Sequence, residues 1–262
     1  MGDTPALQIV ARGLTDVGRR RDHNEDAYLV DDDLHLYIVA DGMGGHAGGG
    51  TASRLAVETV QRAMRDARAR VPSAFAAGAT VEESTLPALL REAVEQACEV
   101  IFRTAQKDPE LAGMGTTATA VVMDGRSAFV AHVGDSRCYL LRDGRIHQVS
   151  EDHSLVNEQL KAGAISAEEA KHSRFKNIIT RSVGFEREVQ VDLMGVELAA
   201  GDALVVCCDG LTNLVEDAEI LRIVDETPID EAPARLVSLA NDRGGDDNIT
   251  VIVIRAGVTV SH

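Results

Sequence analysis

The chain has no tryptophan, and aromatic residues make up only 3% of its 262 positions. With 45% hydrophobic residues, its core must therefore be aliphatic, built from Val, Leu, Ile and Ala. Cations are scarce too: 26 Lys and Arg stand against 42 Asp and Glu, a formal net charge of -16. That balance argues against nucleic-acid or anionic-membrane partners, which need clustered positive charge, although it is also the ordinary composition of a soluble cytosolic protein. Long apolar runs are missing. None approaches the roughly 18 residues that a membrane span requires, and Met1 to Leu14 is too short and too mixed in polarity for a signal peptide. Cysteine is limited to Cys98, Cys138, Cys207 and Cys208, without a C-x-x-C pair. Neighbouring strand residues point to opposite faces, so a Cys207–Cys208 bond would be strained. The four cysteines read as small core residues of a reducing compartment, and the expected location is cytoplasmic.

No repeat, low-complexity tract or Pro/Ser-rich linker divides the sequence, and a chain of this length can hide roughly three quarters of its unfolded surface in one domain. Short β-branched runs at Leu34 to Ala40, Ala118 to Met123, Ala128 to Val133, Ala203 to Cys208 and Ile249 to Ile254 end in Asp, Gly or Asn, which predicts strands closed by turns. Ala52, Ala56, Val60, Ala63, Met64 and Ala67 recur at helical spacing after Gly48-Gly49-Gly50-Thr51. Leu86, Leu90, Ala93, Val94, Ala97 and Ile101 form a second apolar stripe with Ser84 as N-cap. A third helix is expected over about 231–240, ending before Gly244-Gly245. Strands, paired helices, more strands, a helix and a closing strand favour an α+β fold of largely antiparallel sheets. The segment 155–181 is polar and irregular, with room for short helices, and reads as an excursion from the core.

Four aspartates share one setting. Asp41 follows Leu36 to Ala40, Asp135 follows Val133-Gly134, Asp209 follows Cys207-Cys208, and Asp247 directly precedes Asn248 and the run from Ile249. A carboxylate at the mouth of a buried strand is rigidly placed and partly desolvated, and several together repel unless a cation lies between them. All-oxygen donors of this kind suit Mg²⁺ or Mn²⁺. Taken singly, each Asp fits a turn as well as a ligand. Arg19-Arg20-Arg21 is the densest basic run; it fits either a solvated turn or a guanidinium that grips phosphate through paired hydrogen bonds.

The motifs Thr15-Asp16-Val17-Gly18-Arg19-Arg20-Arg21-Asp22-His23-Asn24-Glu25-Asp26, Val39-Ala40-Asp41-Gly42-Met43-Gly44-Gly45-His46 and Gly113-Met114-Gly115-Thr116-Thr117-Ala118 stand in a telling order. Ala131-His132-Val133-Gly134-Asp135-Ser136-Arg137, Glu151-Asp152-His153-Ser154, Cys208-Asp209-Gly210-Leu211 and Asp247-Asn248 follow. The series resembles the metal-dependent protein phosphatases, the PPM family of type 2C in its bacterial form, over one domain spanning 8–256. The resemblance implies a central β-sandwich of two mainly antiparallel sheets flanked by helices (αββα), with 155–181 as a flap beside the cleft. It implies a serine/threonine phosphatase with two Mn²⁺ or Mg²⁺ ions. Asp41 would bridge them, the Gly42 carbonyl, Asp209 and Asp247 would ligate, and Glu25 would hold a water. Asp135 matches a ligand of a third, weaker ion shared with Asp209. Arg21 matches the phosphate-gripping arginine, and Thr116 and Thr117 read as local packing or caps.

An activated water would then attack phosphorus without a phosphoenzyme. One position departs from the eukaryotic pattern: Met43 stands where those members carry a His after Asp-Gly. His46, three residues later, is the candidate acid here, with water as the other possible donor. Phosphorylated proteins and an opposing serine/threonine kinase are the implied partners of a monomer. A catalytically inactive phosphoprotein-binding module is the alternative, but it would need lost ligands. A covalent aspartyl-phosphate route needs a D-x-D nucleophile, and Asp31-Asp32-Asp33 reads as a turn.

Overall fold

A computed structural model describes residues 7–44, 48–75, 81, 84–171, 173, 175 and 177–258. Along the described residues run β1 (Leu7–Asp16), β2 (Ala27–Asp31), β3 (Leu36–Ala40), β4 (Gly42–Met43), α1 (Gly48–Arg70), α2 (Leu86–Lys107), β5 (Gly115–Thr116), β6 (Ala118–Asp124), β7 (Ser127–Val133), β8 (Arg137–Arg142) and β9 (Arg145–Gln148). There follow α3 (Leu155–Lys161), α4 (Ala167–Lys171), β10 (Asp192–Glu197), β11 (Ala203–Cys207), α5 (Asp209–Thr212), α6 (Asp217–Glu226), α7 (Ala232–Asp242) and β12 (Ile249–Val258).

Two five-stranded antiparallel sheets carry the fold, in the orders β1-β12-β11-β8-β9 and β10-β7-β6-β3-β2. Alternation along each strand assigns its side chains to two layers. Leu36, Ile38 and Ala40 of β3 pack outward with α1 and α2, while Tyr37 and Val39 face the other sheet. On β11, Val205 and Cys207 pack with α6 and α7, whereas Leu204 and Val206 join the layer between the sheets. Cys208, one residue past β11, lies in that inner layer as well, so the adjacent cysteines diverge as expected, and all four are free and buried. The result is the four-layer αββα arrangement. Each buried Leu, Ile or Val withdrawn from water contributes about 1.5–3 kcal/mol, so the helical stripes fix α1 and α2 on their sheet.

All five expected apolar runs form strands, and the two long helices follow their predicted stripes. Thr85, not Ser84, is the N-cap residue of α2, although the Ser84 hydroxyl accepts the Leu86 amide at 3.2 Å. The helix expected over 231–240 runs as α7, and Gly244 and Gly245, both at positive φ, end it. Helix α6 was not anticipated. Its apolar residues Ile220, Leu221, Ile223 and Val224 fall within five positions, too short a run to show a helical stripe, and its start is set by a reciprocal capping box between Glu216 and Glu219.

Register gathers chain ends at one end of the sandwich. Ala27 pairs with Ala40, placing the start of β2 beside the end of β3, and Ala118 pairs with Val133 at the end of β7. In the other sheet Cys207 pairs with both Val251 and Arg137, and Asp16 pairs with Ile249. Every residue flagged as a strand-end carboxylate leaves the sheets at this end.

Candidate metal centre

Four hydroxyl and amide side chains fix the backbone beneath the acids. The Asp41 amide donates to Thr117 Oγ1 at 2.9 Å, and its carbonyl accepts from Thr116 Oγ1 and the Thr117 amide, each at 2.8 Å. Thr117 Oγ1 also lies 2.8 Å from Ser136 Oγ, tying the Asp41 turn to the residue after Asp135. Asn248 does the same for the N-terminal motif. Its Oδ1 accepts the Glu25 amide at 2.8 Å, while Nδ2 donates to the carbonyls of Val17 and His23, both at 3.0 Å. Thr116 and Thr117, expected to pack or cap locally, instead hold both backbone polar groups of Asp41.

Two glycines permit close approach where the loops meet. A Cβ at Gly42 would collide with the backbone oxygens of Gly49 and Glu25, and one at Gly210 would strike the Asn248 carbonyl. The short glycine run opening α1 lets Glu25 lie against it, and Ser53 Oγ donates to the Glu25 carbonyl at 2.6 Å.

The carboxylates converge. Asp41 is held far above the usual carboxylate range, chiefly by burial and then by the negative charges of Asp26, Asp209, Asp135 and Asp247. Burial likewise pushes Asp135 up to about 8, with Asp209 and Asp152 adding repulsion and Arg137 opposing it. Asp26 is pushed up to about 7 by burial, against the hydrogen bond its Oδ2 receives from Thr250 Oγ1 at 2.6 Å. One oxygen each of Asp26 and Asp41 and the sulfur of Cys208 all lie within 4.8 Å of one another. Arg21 Nη2 reaches Asp247 Oδ2 at 2.7 Å, and the Asp247, Glu25 and Asp41 charges raise its pKa further. Arg19 and Arg20 instead donate backbone amides to the Gly245 carbonyl at 2.7 and 3.2 Å.

The structure thus brings Arg21, Glu25, Asp41, Asp135, Asp209 and Asp247 to one cleft, with the backbone of Gly42 buried beside Glu25. His46 lies outside the described residues. Asp31, in the D-x-D-like triplet, turns away and is occupied by Gln61 and Arg65 at 2.7 and 2.8 Å. A groove of about 620 Å³ runs from Asp135 and Asp209 past Asp152, Asn157, Asn213 and Asp217, bordered by the start of the 155–181 segment.

The sequence profile of protein phosphatase 2C matches residues 17–249. The chain belongs to the protein phosphatase 2C family. The serine/threonine phosphatase stp of Listeria monocytogenes is 39% identical over 249 residues, covering 94% of this chain and 95% of that one. Among solved structures, serine/threonine phosphatase Stp1 of Staphylococcus aureus superposes with a TM-score of 0.84 at 32% identity, over 99% of this chain and 100% of that one. The catalytic domain of the serine/threonine protein phosphatase PstP, solved in complex with two manganese ions, gives 0.81 at 35% identity over 97% and 100%.

In this family member the donor set fits hard divalent cations. Glu25 Oε1 and Asp26 Oδ1 are buried with no hydrogen-bond partner, a costly state that divalent cations held among these acids would relieve. The Cys208 thiol is not a competing ligand: burial raises its pKa well above normal, and its sulfur donates to the Asn248 carbonyl while accepting the Thr250 amide. Asp26 is the acid that sequence reasoning passed over. Its signal is the same as that of Asp247, since it directly precedes the apolar run Ala27 to Val30.

Proposed function

We propose that Glu25, Asp41, the Gly42 carbonyl, Asp209 and Asp247 hold the two ions, with Asp26 completing the buried wall and Asp135 sharing a weaker third ion with Asp209. The enzyme is a serine/threonine protein phosphatase that depends on Mn²⁺ or Mg²⁺. When bound, the ions ready a water for attack and neutralise charge at phosphorus. The protein supplies the rest. Thr116, Thr117 and Asn248 hold the acids in place before substrate arrives, so little reorganisation accompanies the reaction. Arg21, half-exposed and paired with Asp247, is free to swing its remaining N–H groups to a phosphoryl oxygen.

The observation that carries this reading is the pair of orphaned carboxylate oxygens among converging acids that repel one another without a cation. His46 is the proposed acid for the leaving oxygen, and a serine/threonine kinase the proposed opposing partner. Residues 8–256 are proposed as one catalytic domain with 155–181 as its flap. Among the described residues no helix is long and apolar enough to cross a membrane, and we place the phosphatase in the cytoplasm as a monomer without nucleic-acid or membrane partners.

The test is hydrolysis of a phosphothreonine peptide by pure protein with added manganese, alongside Asp209→Asn. Manganese-stimulated release of phosphate that vanishes in Asp209→Asn, with the fold intact by circular dichroism, is expected. Near wild-type turnover in that variant would mean the ligand set is wrong.

A further inference from the structure

His153 sits where three parts of the cleft meet. Its backbone amide donates to the Gly134 carbonyl at 2.7 Å, and its ring Nδ1 accepts the Gly134 amide at 3.0 Å. Both polar groups of Gly134, the residue just before Asp135, are therefore held by one histidine. The His153 carbonyl in turn accepts the Thr180 amide at 2.9 Å, and the bridge between Ser154 and Ile179 closes beside it. These bonds seal the base of the 155–181 segment.

An amide donor at Nδ1 fixes the tautomer: the ring proton is on Nε2, which points to Asp192 Oδ2 at 3.1 Å. Arg181, at the far end of the segment, donates to the other Asp192 oxygen at 2.7 Å. Its Nη1 also lies 3.0 Å from His153 Nε2, so the Asp192 carboxylate balances two proton-bearing atoms. The ring of His132 flanks that of His153 at a centroid distance of 4.9 Å, and its Nε2 is anchored at 3.0 Å to the Glu151 carbonyl. The His153 ring is buried and has one setting. Gly134 has little freedom of its own, because it sits at φ +111 with the Thr117 side chain packed where a Cβ would stand.

We propose that His153 is a positioning residue for the phosphatase reaction, clamping Gly134 so that the Asp135 carboxylate is aimed into the cleft and joining that aim to the base of the 155–181 segment. The proposal rests on the reading of Asp135 as a metal ligand. A purely structural histidine would need only its bulk and its bond to Asp192. The clamp needs an acceptor at the Nδ1 position.

That difference can be read with two substitutions. In His153→Asn the side-chain oxygen branches from Cγ as Nδ1 does and can still accept the Gly134 amide. In His153→Gln the polar group lies one bond further out, near Nε2, and keeps the Asp192 contact instead. Three measurements apply to wild type, both variants and Asp135→Asn: kcat and KM on a phosphothreonine peptide, the manganese titration by calorimetry, and hydrogen-exchange protection of the Gly134 amide by NMR in magnesium. His153→Asn is expected to keep Gly134 protected and kcat near the wild-type value. His153→Gln is expected to lose the protection, to weaken the lower-affinity manganese event, and to lower kcat by about tenfold to a hundredfold with little change in KM. The clamp is overturned if Asn and Gln give the same kcat and the same Gly134 protection, or if Gln is the better of the two. Should Asp135→Asn leave both turnover and the manganese titration unchanged, the assignment of Asp135 fails, and the clamp fails with it.

Discussion

Stripping divalent ions with a chelator should leave a protein that becomes less stable as pH rises through neutrality. Burial and mutual repulsion hold Asp26 at about 7 and Asp135 at about 8, far above an unfolded carboxyl near 3.8. The folded chain then binds more protons than the unfolded one up to those values, so stability falls as pH rises through them. Between pH 6.5 and 8.5 a carboxyl at about 7 loses about 0.8 kcal/mol and one at about 8 loses about 2 kcal/mol by this linkage. His132, lowered to about 4 by burial, and His153, lowered by the same cause, act in the opposite sense. Most of their contribution falls below pH 6.5, and for His132 the part inside this window is only about 0.4 kcal/mol. A net loss of about 2 kcal/mol corresponds to a fall in Tm of roughly 4–8 °C for a chain of this size. Manganese keeps the acids ionised, so the saturated protein should not show that fall. The measurement is scanning calorimetry of chelator-treated and manganese-saturated samples at both pH values. A stripped sample whose Tm stays level or climbs in parallel with the loaded one would show that these carboxylates are not crowded together.

Arg21→Ala should lower kcat/KM by about 1.5–3 kcal/mol, the worth of a charged hydrogen bond to phosphate, without weakening manganese binding, because it also frees Asp247; looser manganese binding would recast Arg21 as a support for its ligand. Thr117→Val leaves the Asp41 amide and the Ser136 hydroxyl without their partner, so urea unfolding should show about 1–3 kcal/mol lost, and Thr117→Ser should restore it. Gly210→Ala drives a Cβ into the Asn248 carbonyl and should destabilise by more than about 2 kcal/mol; a fully stable, active variant would mean the two loops do not meet this closely.

Much of the fold was written locally. The β-branched runs that stop at Asp or Gly became strands ending at one mouth, and the stripes on α1 and α2 named their own buried faces. Strand β1 escaped notice because most of its residues are only half-buried and Gly13 and Arg12 interrupt it, so no apolar run announces it. The carboxylates were legible for a similar reason, since a turn aspartate after a buried strand stands out against its apolar flank. Their supports were not. A threonine or asparagine in a motif has a bland local use as a cap, and nothing in its neighbours reveals a partner far along the chain. Thr117 holds Asp41 from 76 positions away, Asn248 holds Glu25 from 223, and Thr250 holds Asp26 from 224.

This division has a physical origin. Which residues can ligate a hard cation is a matter of side-chain chemistry, readable one residue at a time. Whether several like charges will sit together is decided by the polar groups that fix their backbones before any ion arrives, because mobile acids would simply move apart. Here that restraint comes from both sheets at once. Thr117 and Ser136 join the turns of one sheet, while Asn248, beside the first strand pair of the other, reaches across to Glu25. A chain with the same aspartates but without these bonds would keep its sandwich and lose the geometry of its cleft.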